Sequence, residues 1–369
     1  MSNIKKTTHI IESTDVNKIL SSIGVDVFMD DLIARLTKAL HTFNSEHTVI
    51  PARSGFHYTF PFTGLVEWMP LHARGEEITI KLVGYHPGNP ELFDTPTILS
   101  SVYKFDTRTG HLMAVMDGVL STALRTGAIS AVATKIMARP DSKVLGIIGC
   151  GAQAVTQIHA ISRVLDIDTV LYYDIDDAAG DSLAERIKPL GLNLKLESKS
   201  IPEIVKESDV LCTATSIDIG QGPLFESLET KPHLHINAVG SDFPGKIEIP
   251  LKLLRESVVI PDFKDQAVVE GECQQLTAAE IGPDLSAIAR QEDKYDYIQN
   301  RVSVFDSTGW ALEDHVVMDL IIESAQKLKL GKHLEVEYFP EDNKNPYEFL
   351  QMNSKAPISI KESVKTDKH

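Results

Sequence analysis

Cysteine is scarce in this chain, whose 369 residues include only Cys150, Cys212 and Cys273. An odd number of widely spaced cysteines excludes a disulfide framework, and it does not match the clustered spacing of a zinc site. The sequence therefore predicts reduced thiols. On this basis we expect a cytoplasmic protein.

Long apolar runs are also missing. The chain contains no stretch of about 18 consecutive apolar residues, the length that a membrane-spanning helix requires. Its opening residues, MSNIKKTTHIIES, hold no apolar segment of the kind that a signal peptide needs. We expect no membrane partner.

Positive charge is outnumbered by negative charge. The chain has 36 Lys and Arg against 52 Asp and Glu, a formal net charge of −16. A surface that binds nucleic acid needs clustered Lys and Arg to contact the phosphates, so the balance argues against a nucleic-acid partner.

Metal-binding motifs are absent as well, since the chain has neither HExxH nor CxxC. The nearest approach to ligand spacing is His233-Leu234-His235. A metal site normally recruits three or four ligands, so we expect a structural role for both rings and no metal.

The chain length predicts two domains, because single domains usually hold about 100 to 200 residues. Residues 14–43 repeat apolar positions at helical spacing. The strand-like runs LVEWMP, ITIKLVGYHP, PTILSSVYKF and HLMAVMD follow, with the turn DTRTG before the last of them. This first region is predicted to be a mainly antiparallel sheet with helices. The alanine-rich stretch 118–138 is helical in pattern and ends at RPDS.

Short apolar runs alternate with helical segments in the second region. The runs are KVLGIIG, TVLYYD, DVLCTAT, HLHINAVG, SVVIPD and VSVFDSTG. Continuous apolar strands separated by helices indicate a parallel sheet covered on both faces. An amphipathic helix over 310–331 could then return the chain to the first domain, and the polar tail from Asn353 is expected to be mobile.

These patterns predict an α/β protein with two parts. A Rossmann-type doubly wound parallel sheet is expected over 129–318. An α+β domain is expected to be built from both chain ends, 1–128 and 319–369.

A glycine motif opens the second region. Gly149-Cys150-Gly151-Ala152-Gln153-Ala154 matches G-x-G-x-x-G/A directly after a strand and at the start of a helix. Gly149 permits the tight turn, Gly151 lets a pyrophosphate approach the backbone, and Ala154 lets the helix pack on the strand. The free N–H groups of the helix start favour a phosphate.

The next strand ends at Asp174, where a carboxylate would accept hydrogen bonds from the adenosine ribose. The residues that follow, Ile175-Asp176-Asp177, add negative charge and no arginine. An acid there repels a 2′-phosphate, so we expect NAD rather than NADP as the cofactor.

Small polar or acidic sets follow three other strands: 213–216, 237–242 and 306–309. Ligands of open parallel sheets bind beyond the carboxyl ends of the strands, so these sets are expected to line one cleft.

The first region carries cations in unusual settings. Lys81 interrupts an apolar strand, Arg125 lies in a small-residue helix, and Arg53 precedes the first strand-like run. Such side chains are rarely buried without an anion, and a substrate carboxylate is the simplest anion.

Several stretches resemble one family: LVEWMP, TALRTGA, IGCGAQA, HINAVGSDFPGK, EGECQQL and VFDSTGWALED. The chain resembles the ornithine cyclodeaminase and mu-crystallin family, and within it the amino-acid cyclodeaminases, from about residue 53 to about 329. HINAVGSDFPGK and VFDSTGWALED are the most specific of these matches.

The resemblance implies roles for individual residues. It implies that Arg53, Lys81 and Arg125 hold the substrate carboxylate, that Asp242 is the catalytic acid/base, and that Glu67 assists through a water. Further contacts with substrate are expected from Met69 and Thr308. Contacts with the cofactor are expected from Thr97, Arg125, Gly149, Gly151, Ala152, Gln153, Asp174, Thr213, Thr215, Val239, Lys246 and Ser307.

The implied activity is that of a cyclodeaminating ammonia-lyase with catalytic NAD. Hydride leaves the substrate Cα, the terminal amine attacks the resulting imine, ammonia departs, and the hydride returns to the cyclic imine. Lysine would give pipecolate and ornithine would give proline. The resemblance also implies a homodimer formed through the first domain, which binds the substrate.

Three alternatives stay open. EGECQQL, DSTGW and LVEWMP are nearer to the lysine-cyclising branch, where the ornithine branch would have Val in place of Thr308, but one methylene is worth only about 1–3 kcal/mol in an apolar pocket. The substrate could therefore be ornithine. The chain could also be an imino-acid reductase or amino-acid dehydrogenase, or a non-catalytic binding protein like mu-crystallin.

Overall fold

A computed structural model describes residues 6–226 and 228–352. The tail that the sequence predicts to be mobile, from Asn353 onward, lies outside the described residues. Within these ranges, no helix combines the length and the apolar character needed to cross a bilayer.

The first sheet is mainly antiparallel, as the sequence predicts. Its described strands are β1 (Thr8–Ile11), β2 (Thr48–Val49), β3 (Ser54–Tyr58), β4 (Gly64–Ala73), β5 (Glu77–Tyr85), β6 (Ile98–Asp106), β7 (Leu112–Asp117) and β15 (Lys332–Leu334). They run in the order β15-β1-β7-β6-β5-β4-β2, β3 also pairs with β4, and only the β1–β7 pair is parallel among them. The predicted hairpin joins β6 to β7. Strands β1, β2, β3 and β15 were not predicted.

Long helices cover one face of this sheet. They are α1 (Ser13–Ile23), α2 (Val25–Thr42), α4 (Val119–Met137) and α13 (Ala311–Leu328), and the short α3 (Asn89–Phe93) lies in a loop. The helical pattern over 14–43 divides at Gly24, whose φ of +93° suits glycine. Phe28, Met29, Leu32 and Leu36 of α2 are buried in the core that α4 and α13 complete.

The second sheet is parallel throughout its described strands. These are β8 (Val144–Ile148), β9 (Thr169–Tyr173), β10 (Lys195–Ser198), β11 (Val210–Thr213), β12 (His235–Ala238), β13 (Val258–Pro261) and β14 (Ser303–Asp306). They lie in the order β10-β9-β8-β11-β12-β14-β13. All six predicted strands are present. The edge strand β10 and the place of β14 between β12 and β13 were not predicted.

Helices cover both faces of the second sheet, so the predicted doubly wound α/β fold is confirmed. The helices of this half are α5 (Ala152–Val164), α6 (Asp177–Asp181), α7 (Leu183–Ile187), α8 (Ile201–Glu207), α9 (Leu251–Glu256), α10 (Lys264–Ala267), α11 (Leu285–Ala289) and α12 (Glu292–Tyr295), and α14 (Phe349–Met352) follows near the chain end. One core packs α5 and α7 on the sheet, and a second core packs α8 and α9 on its other face.

Helices α4 and α13 connect the two halves. Helix α4 packs closely on α5, where a Cβ at Gly127 would lie 2.5 Å from the carbonyl oxygen of Thr156. Helix α13 contacts β4 and β5, and the chain then adds β15 to the first sheet. After α13 the chain therefore lies again at the first sheet.

Candidate active site

A cleft lies where the first sheet faces the carboxyl ends of the parallel strands. Its lining residues are Arg53, Leu65, Glu67, Met69, Lys81, Val83, Tyr85, Ile98, Thr122, Arg125, Asp242, Phe243 and Thr308. All of the residues predicted to act on the substrate line this cleft. Thr97 is half-buried immediately before β6, next to Ile98, and does not line the cleft.

Strand β4 places Glu67 and Met69 in the cleft because alternate residues of a strand face the same side. Glu67 and Met69 are buried, whereas Val66 and Trp68 are exposed on the opposite face. Met69 is paired with Lys81 of β5 in the antiparallel register. One pair of strands therefore supplies three of the predicted residues.

Glu67 has two polar neighbours. His57 Nε2 lies 2.8 Å from one carboxylate oxygen, and Nη1 of Arg53 lies 3.7 Å from the other. The His57 ring packs against Phe243, with 4.8 Å between ring centroids. Sequence reasoning missed His57, although it pairs across the strands two positions from Glu67.

Asp242 is held by a lysine from its own loop. Lys246 Nζ donates to Asp242 Oδ1 at 2.7 Å and to Tyr85 Oη at 3.3 Å. Burial opposes the charge on Lys246, but Asp242 and Tyr85 outweigh it and raise the pKa of the ammonium. Tyr85, which sequence reasoning missed, links this loop to β5.

The three predicted carboxylate-binding cations already have protein partners. Arg53 Nε lies 2.7 Å from Glu270, Lys81 Nζ 2.8 Å from Asp314, and Arg125 Nη1 2.6 Å from Glu313. The anions that accompany these buried cations are therefore carboxylates of the chain itself, so the burial of the cations does not by itself indicate a substrate carboxylate. Sequence reasoning did not identify the three carboxylate partners, Glu270, Asp314 and Glu313.

Burial disfavours the charged forms of the groups in these pairs. It raises the pKa of Glu270 to about 8 and that of Glu313 to about 7, against the opposing effect of the neighbouring arginines. Burial also lowers the pKa of Lys81 to about 8, and Arg125 adds to this shift. Burial thus disfavours the charged forms of Glu270, Glu313 and Lys81.

The turn after β14 supports two of the cations. The carbonyl oxygens of Thr308 and Gly309 accept hydrogen bonds from Arg53 Nη2 at 2.6 and 3.1 Å. A Cβ at Gly309 would lie 2.8 Å from the guanidinium of Arg125, so glycine is needed for that approach. The Thr308 hydroxyl lies 3.0 Å from Asp262 and 2.7 Å from the amide nitrogen of Gln266.

The glycine loop has the predicted form. Gly149 has a φ of +96°, and a Cβ there would lie 2.6 Å from the carbonyl oxygen of Ala214. A Cβ at Gly151 would meet no described atom within 4 Å, so space is open in front of the loop. Ala152 and Gln153 begin α5, and Ala154 is fully buried against the sheet.

Asp174 faces the glycine loop from the end of β9. Its two carboxylate oxygens accept from the backbone N–H groups of Cys150 at 2.5 Å and Asp176 at 2.9 Å. Arg186 of α7 donates to the carbonyl oxygens of Cys150 and Gly151. No arginine follows Asp174 directly in the sequence, but the fold brings Arg186 to the glycine loop. The Arg186 guanidinium is occupied by its hydrogen bonds to the two carbonyl groups.

The carboxyl ends of β11, β12 and β14 lie side by side, as predicted. Val239 N donates to Thr213 O, and Ser307 N donates to Ala238 O, each at 2.9 Å. The buried hydroxyl of Ser307 has no hydrogen-bond partner among the described residues, whereas the buried Thr213 side chain interacts with the Glu248 carboxylate. Asn237 and Asp306 turn away, since they bond to Thr134 and to the 272–273 backbone.

The histidines considered for metal spacing have protein partners. His233 Nε2 lies 3.1 Å from Asp209, and the buried His235 lies 3.0 Å from Ser303 Oγ. A group with ligand-like geometry, Glu77, His315 and Asp319, occurs elsewhere in the described chain. Lys104 Nζ bonds to both of its carboxylates, which places a protein cation among them.

The chain matches proteins with the same architecture over most of its length. It is 40% identical over 341 residues to an L-lysine cyclodeaminase of Streptomyces rapamycinicus, which covers 92% of this chain and 99% of that protein. A solved lysine cyclodeaminase, described with the recognition of L-lysine, L-ornithine and L-2,4-diaminobutyric acid, is 44% identical. It superposes with a TM-score of 0.90 over 93% of this chain and 99% of its own.

A more distant structure has the same fold. An archaeal alanine dehydrogenase dimer with bound NAD is 27% identical and gives a TM-score of 0.77 over 90% of this chain and 100% of its own. Residues 13–329 match the model of the ornithine cyclodeaminase/mu-crystallin family. The resemblance seen in the sequence is thus confirmed, and the chain belongs to the ornithine cyclodeaminase/mu-crystallin family.

Proposed function

We propose that this chain is an NAD-dependent cyclodeaminase that converts L-lysine to L-pipecolate and ammonia. The observation that carries the proposal is the cleft that holds Arg53, Lys81 and Arg125 together with the carboxylates of Glu67 and Asp242. It has cations for an α-carboxylate and acids for a terminal amine. The similarity to lysine cyclodeaminases over nearly the whole chain supports the same assignment.

The residues of the second sheet fit NAD. The open space at Gly151 and the start of the 13-residue helix α5 suit a pyrophosphate, and Asp174 suits the adenosine ribose. The unpartnered hydroxyl group of Ser307 lies at a strand end, where a carboxamide or ribose could use it, and Thr213 at the end of β11 is also proposed to contact the cofactor. The remaining proposed contacts are Thr97, Arg125, Gly149, Ala152, Gln153, Thr215, Val239 and Lys246.

Arg53, Lys81 and Arg125 are proposed to hold the substrate carboxylate. Burial raises the pKa values of Glu270 and Glu313, so these two acids offset the charge of the arginines less than exposed carboxylates would. Fixing the carboxylate orients Cα, and orientation also favours ring closure.

Asp242 is the proposed acid/base. A terminal ammonium must lose a proton before it can attack the imine carbon, and a carboxylate within hydrogen-bonding reach can accept that proton. Lys246 and Tyr85 fix the Asp242 side chain, and Glu67 assists through a water. NAD, when bound, takes up the hydride from Cα and gives it back to the cyclic imine.

Lysine is proposed ahead of ornithine on the strength of the similarity to two lysine cyclodeaminases, and ornithine is the second candidate. A solved lysine cyclodeaminase of this family is described with both amino acids. Met69 and Thr308 are the residues proposed to contact the substrate chain.

A homodimer is proposed to form through the first sheet. Phe56, Val66, Trp68, Leu82 and Leu99 expose 37 to 68% of their surface on neighbouring strands of that sheet. An exposed apolar patch of this kind marks an interface. The dimeric alanine dehydrogenase of this fold supports the proposal.

The domain division is also a proposal. We assign 1–128 with 319–369 to substrate binding and dimerisation, and 129–318 to NAD. Support comes from the two sheets, although residue 128 itself lies inside α4. A cytoplasmic location is proposed from the three free, buried cysteines.

One assay separates the candidate functions. The protein is incubated with L-lysine and an amount of NAD far below that of the substrate, while ammonia and the NADH absorbance are followed. Ammonia release with no net NADH supports the cyclodeaminase. Net formation of NADH from L-lysine indicates a dehydrogenase. In a second incubation with a cyclic imine and NADH, consumption of NADH indicates a reductase. If the protein binds lysine or ornithine but gives neither ammonia nor a change in NADH absorbance with either amino acid, it is a non-catalytic binding protein.

A further inference from the structure

A buried carboxylate joins the ends of two strands beside the cleft. Glu248 Oε1 accepts from the backbone N–H of Thr215 at 2.8 Å and from its hydroxyl at 2.7 Å. Glu248 Oε2 accepts from the backbone N–H of Gly240 at 2.9 Å. Glu248 is fully buried, and it does not line the cleft.

Both anchor points adjoin residues proposed to act in the reaction. Gly240 comes two residues before Asp242, at the start of the loop that follows β12. Thr215 follows Ala214, whose carbonyl oxygen would lie 2.6 Å from a Cβ at Gly149, so this backbone packs directly beside the glycine loop. Glu248 therefore joins the backbone that carries the acid/base to the backbone that borders the cofactor loop.

The other end of the Asp242 loop is fixed by the same kind of contact. The backbone N–H of Glu248 donates to Glu272 Oε1 at 2.7 Å. The N–H groups of Glu272 and Cys273 donate in turn to Asp306 at 2.8 Å. Three buried carboxylates thus connect the end of β14, through the 272–273 segment, to both ends of the loop 240–248.

The contact at Gly240 leaves no room for a side chain. A Cβ there would lie 2.2 Å from Glu248 Oε1 and 2.7 Å from the carbonyl oxygen of Thr215. Only glycine lets the carboxylate reach the backbone. This close fit fixes the start of the loop to within the tolerance of a hydrogen bond.

We propose that Glu248 is a positioning residue, which sets the place of Asp242 against the cofactor side of the cleft by tying Gly240 to Thr215. The proposal rests on the proposed function. Its physical basis is that a misplacement of about 1 Å in a reacting group can reduce turnover by about 100-fold.

The test variant is Glu248→Gln. The amide oxygen can keep the bonds to Thr215, but the amide NH₂ presents a donor to the Gly240 N–H. We expect kcat to fall by about 10- to 100-fold while the KM for the amino acid and the NAD affinity change by less than about threefold. Independently of turnover, amide hydrogen exchange at Gly240 and in the 241–247 loop should become about tenfold faster or more.

The matched control is Asp209→Asn. Asp209 accepts the backbone N–H groups of Lys143 and Val144, both at 2.9 Å, at the amino ends of strands in the same sheet. Like Glu248→Gln, which removes a buried acceptor, Asp209→Asn should lower the melting temperature. Unlike Glu248→Gln, it should leave kcat and hydrogen exchange at Gly240 unchanged. A role confined to stability would instead give the same kcat for the two variants at temperatures equally far below their melting points.

Turnover is measured with whichever of lysine, ornithine, or a cyclic imine plus NADH the wild-type protein uses fastest. Suppose that the wild type is active. If Glu248→Gln then keeps more than about a third of the wild-type kcat, or leaves hydrogen exchange at Gly240 unchanged, the positioning role of Glu248 is overturned while the proposed function stands. A wild-type protein that uses none of these substrates overturns the proposed function, and this inference with it.

Discussion

Asp242 and Lys246 are joined by an ion pair of 2.7 Å in the loop after β12, with the ammonium buried and the carboxylate about one-third exposed. The carboxylate is thus fixed on one side and open to the cleft on the other. A group placed in this way can exchange a proton with a bound substrate.

Replacement of Asp242 by Asn should remove the base and keep the shape. We expect kcat for lysine to fall by about 10²- to 10⁴-fold, the range typical of general-base loss, with little change in melting temperature or NAD affinity. Steady-state kinetics and thermal unfolding measure these quantities. Asp218→Asn, the same change at an exposed residue of a neighbouring loop, serves as the control and should leave kcat near that of the wild type. An Asp242→Asn variant with more than about a third of wild-type kcat would direct attention to Glu67 instead.

Replacement of Asp174 by Ser should weaken the preference for NAD. The change removes a negative charge near the expected ribose and lets a 2′-phosphate approach, with Arg186 already close to the loop. We expect the ratio of kcat/KM for NAD to that for NADP to fall by about tenfold, which is about 1.4 kcal/mol. The exposed Asp181→Ser is the charge-matched control. If the wild-type protein bound NADP as well as NAD in a titration, the role of Asp174 would be wrong.

Replacement of Thr308 by Val should affect stability more than substrate choice. The hydroxyl lies within hydrogen-bonding distance of Asp262 and Gln266, so its loss leaves buried polar groups unpaired. We expect a loss of about 1–3 kcal/mol in the free energy of unfolding. Thr308→Ser keeps the hydroxyl and should recover most of this loss. A reversal of the lysine-to-ornithine kcat/KM ratio in the Val variant would show instead that Thr308 selects substrate length.

The buried acids make stability depend on pH. Burial raises the pKa of Asp306 from its ordinary value of 3.8 to about 7. Between pH 4 and pH 7 the folded protein therefore keeps a proton on Asp306 that the unfolded chain has released. The stability that Asp306 contributes is complete below about pH 4 and is lost as pH rises through 7. Each such proton lowers the free energy of unfolding by about 1.4 kcal/mol per pH unit in this window.

Asp306→Asn tests this dependence, because it removes the titrating group but keeps one acceptor oxygen. Denaturant unfolding at a series of pH values should give a smaller decline between pH 4 and 7 than the wild type shows. Equal declines in the two proteins would contradict the assignment to Asp306.

Local patterns were sufficient to predict the elements that have strong periodicity. The six apolar runs all form strands of the parallel sheet, and Gly149, Gly151 and Asp174 adopt the arrangement that their motif indicates. These features depend on short-range backbone chemistry. Strands β1, β2, β3, β10 and β15 were missed, because none is a continuous apolar run and each is too short to show a clear alternating pattern.

The pairing of side chains across the fold could not be predicted in the same way. Glu313 and Asp314 stand in a helix that looks amphipathic, and only the return of α13 onto the first sheet places them against Arg125 and Lys81. Glu270 meets Arg53 from more than 200 residues away in the chain. One available signal was the adjacent acids in WALED, which fall within a resemblance motif and on a mostly buried helix.

The most direct test of the central claim follows the hydrogen on the substrate Cα. L-Lysine with deuterium at Cα is incubated with the protein and NAD, and the pipecolate is examined by mass spectrometry and proton NMR. If the same hydride leaves and returns, the product keeps its deuterium at Cα and no net NADH forms. Complete replacement of that deuterium by solvent hydrogen would contradict the internal return of the hydride.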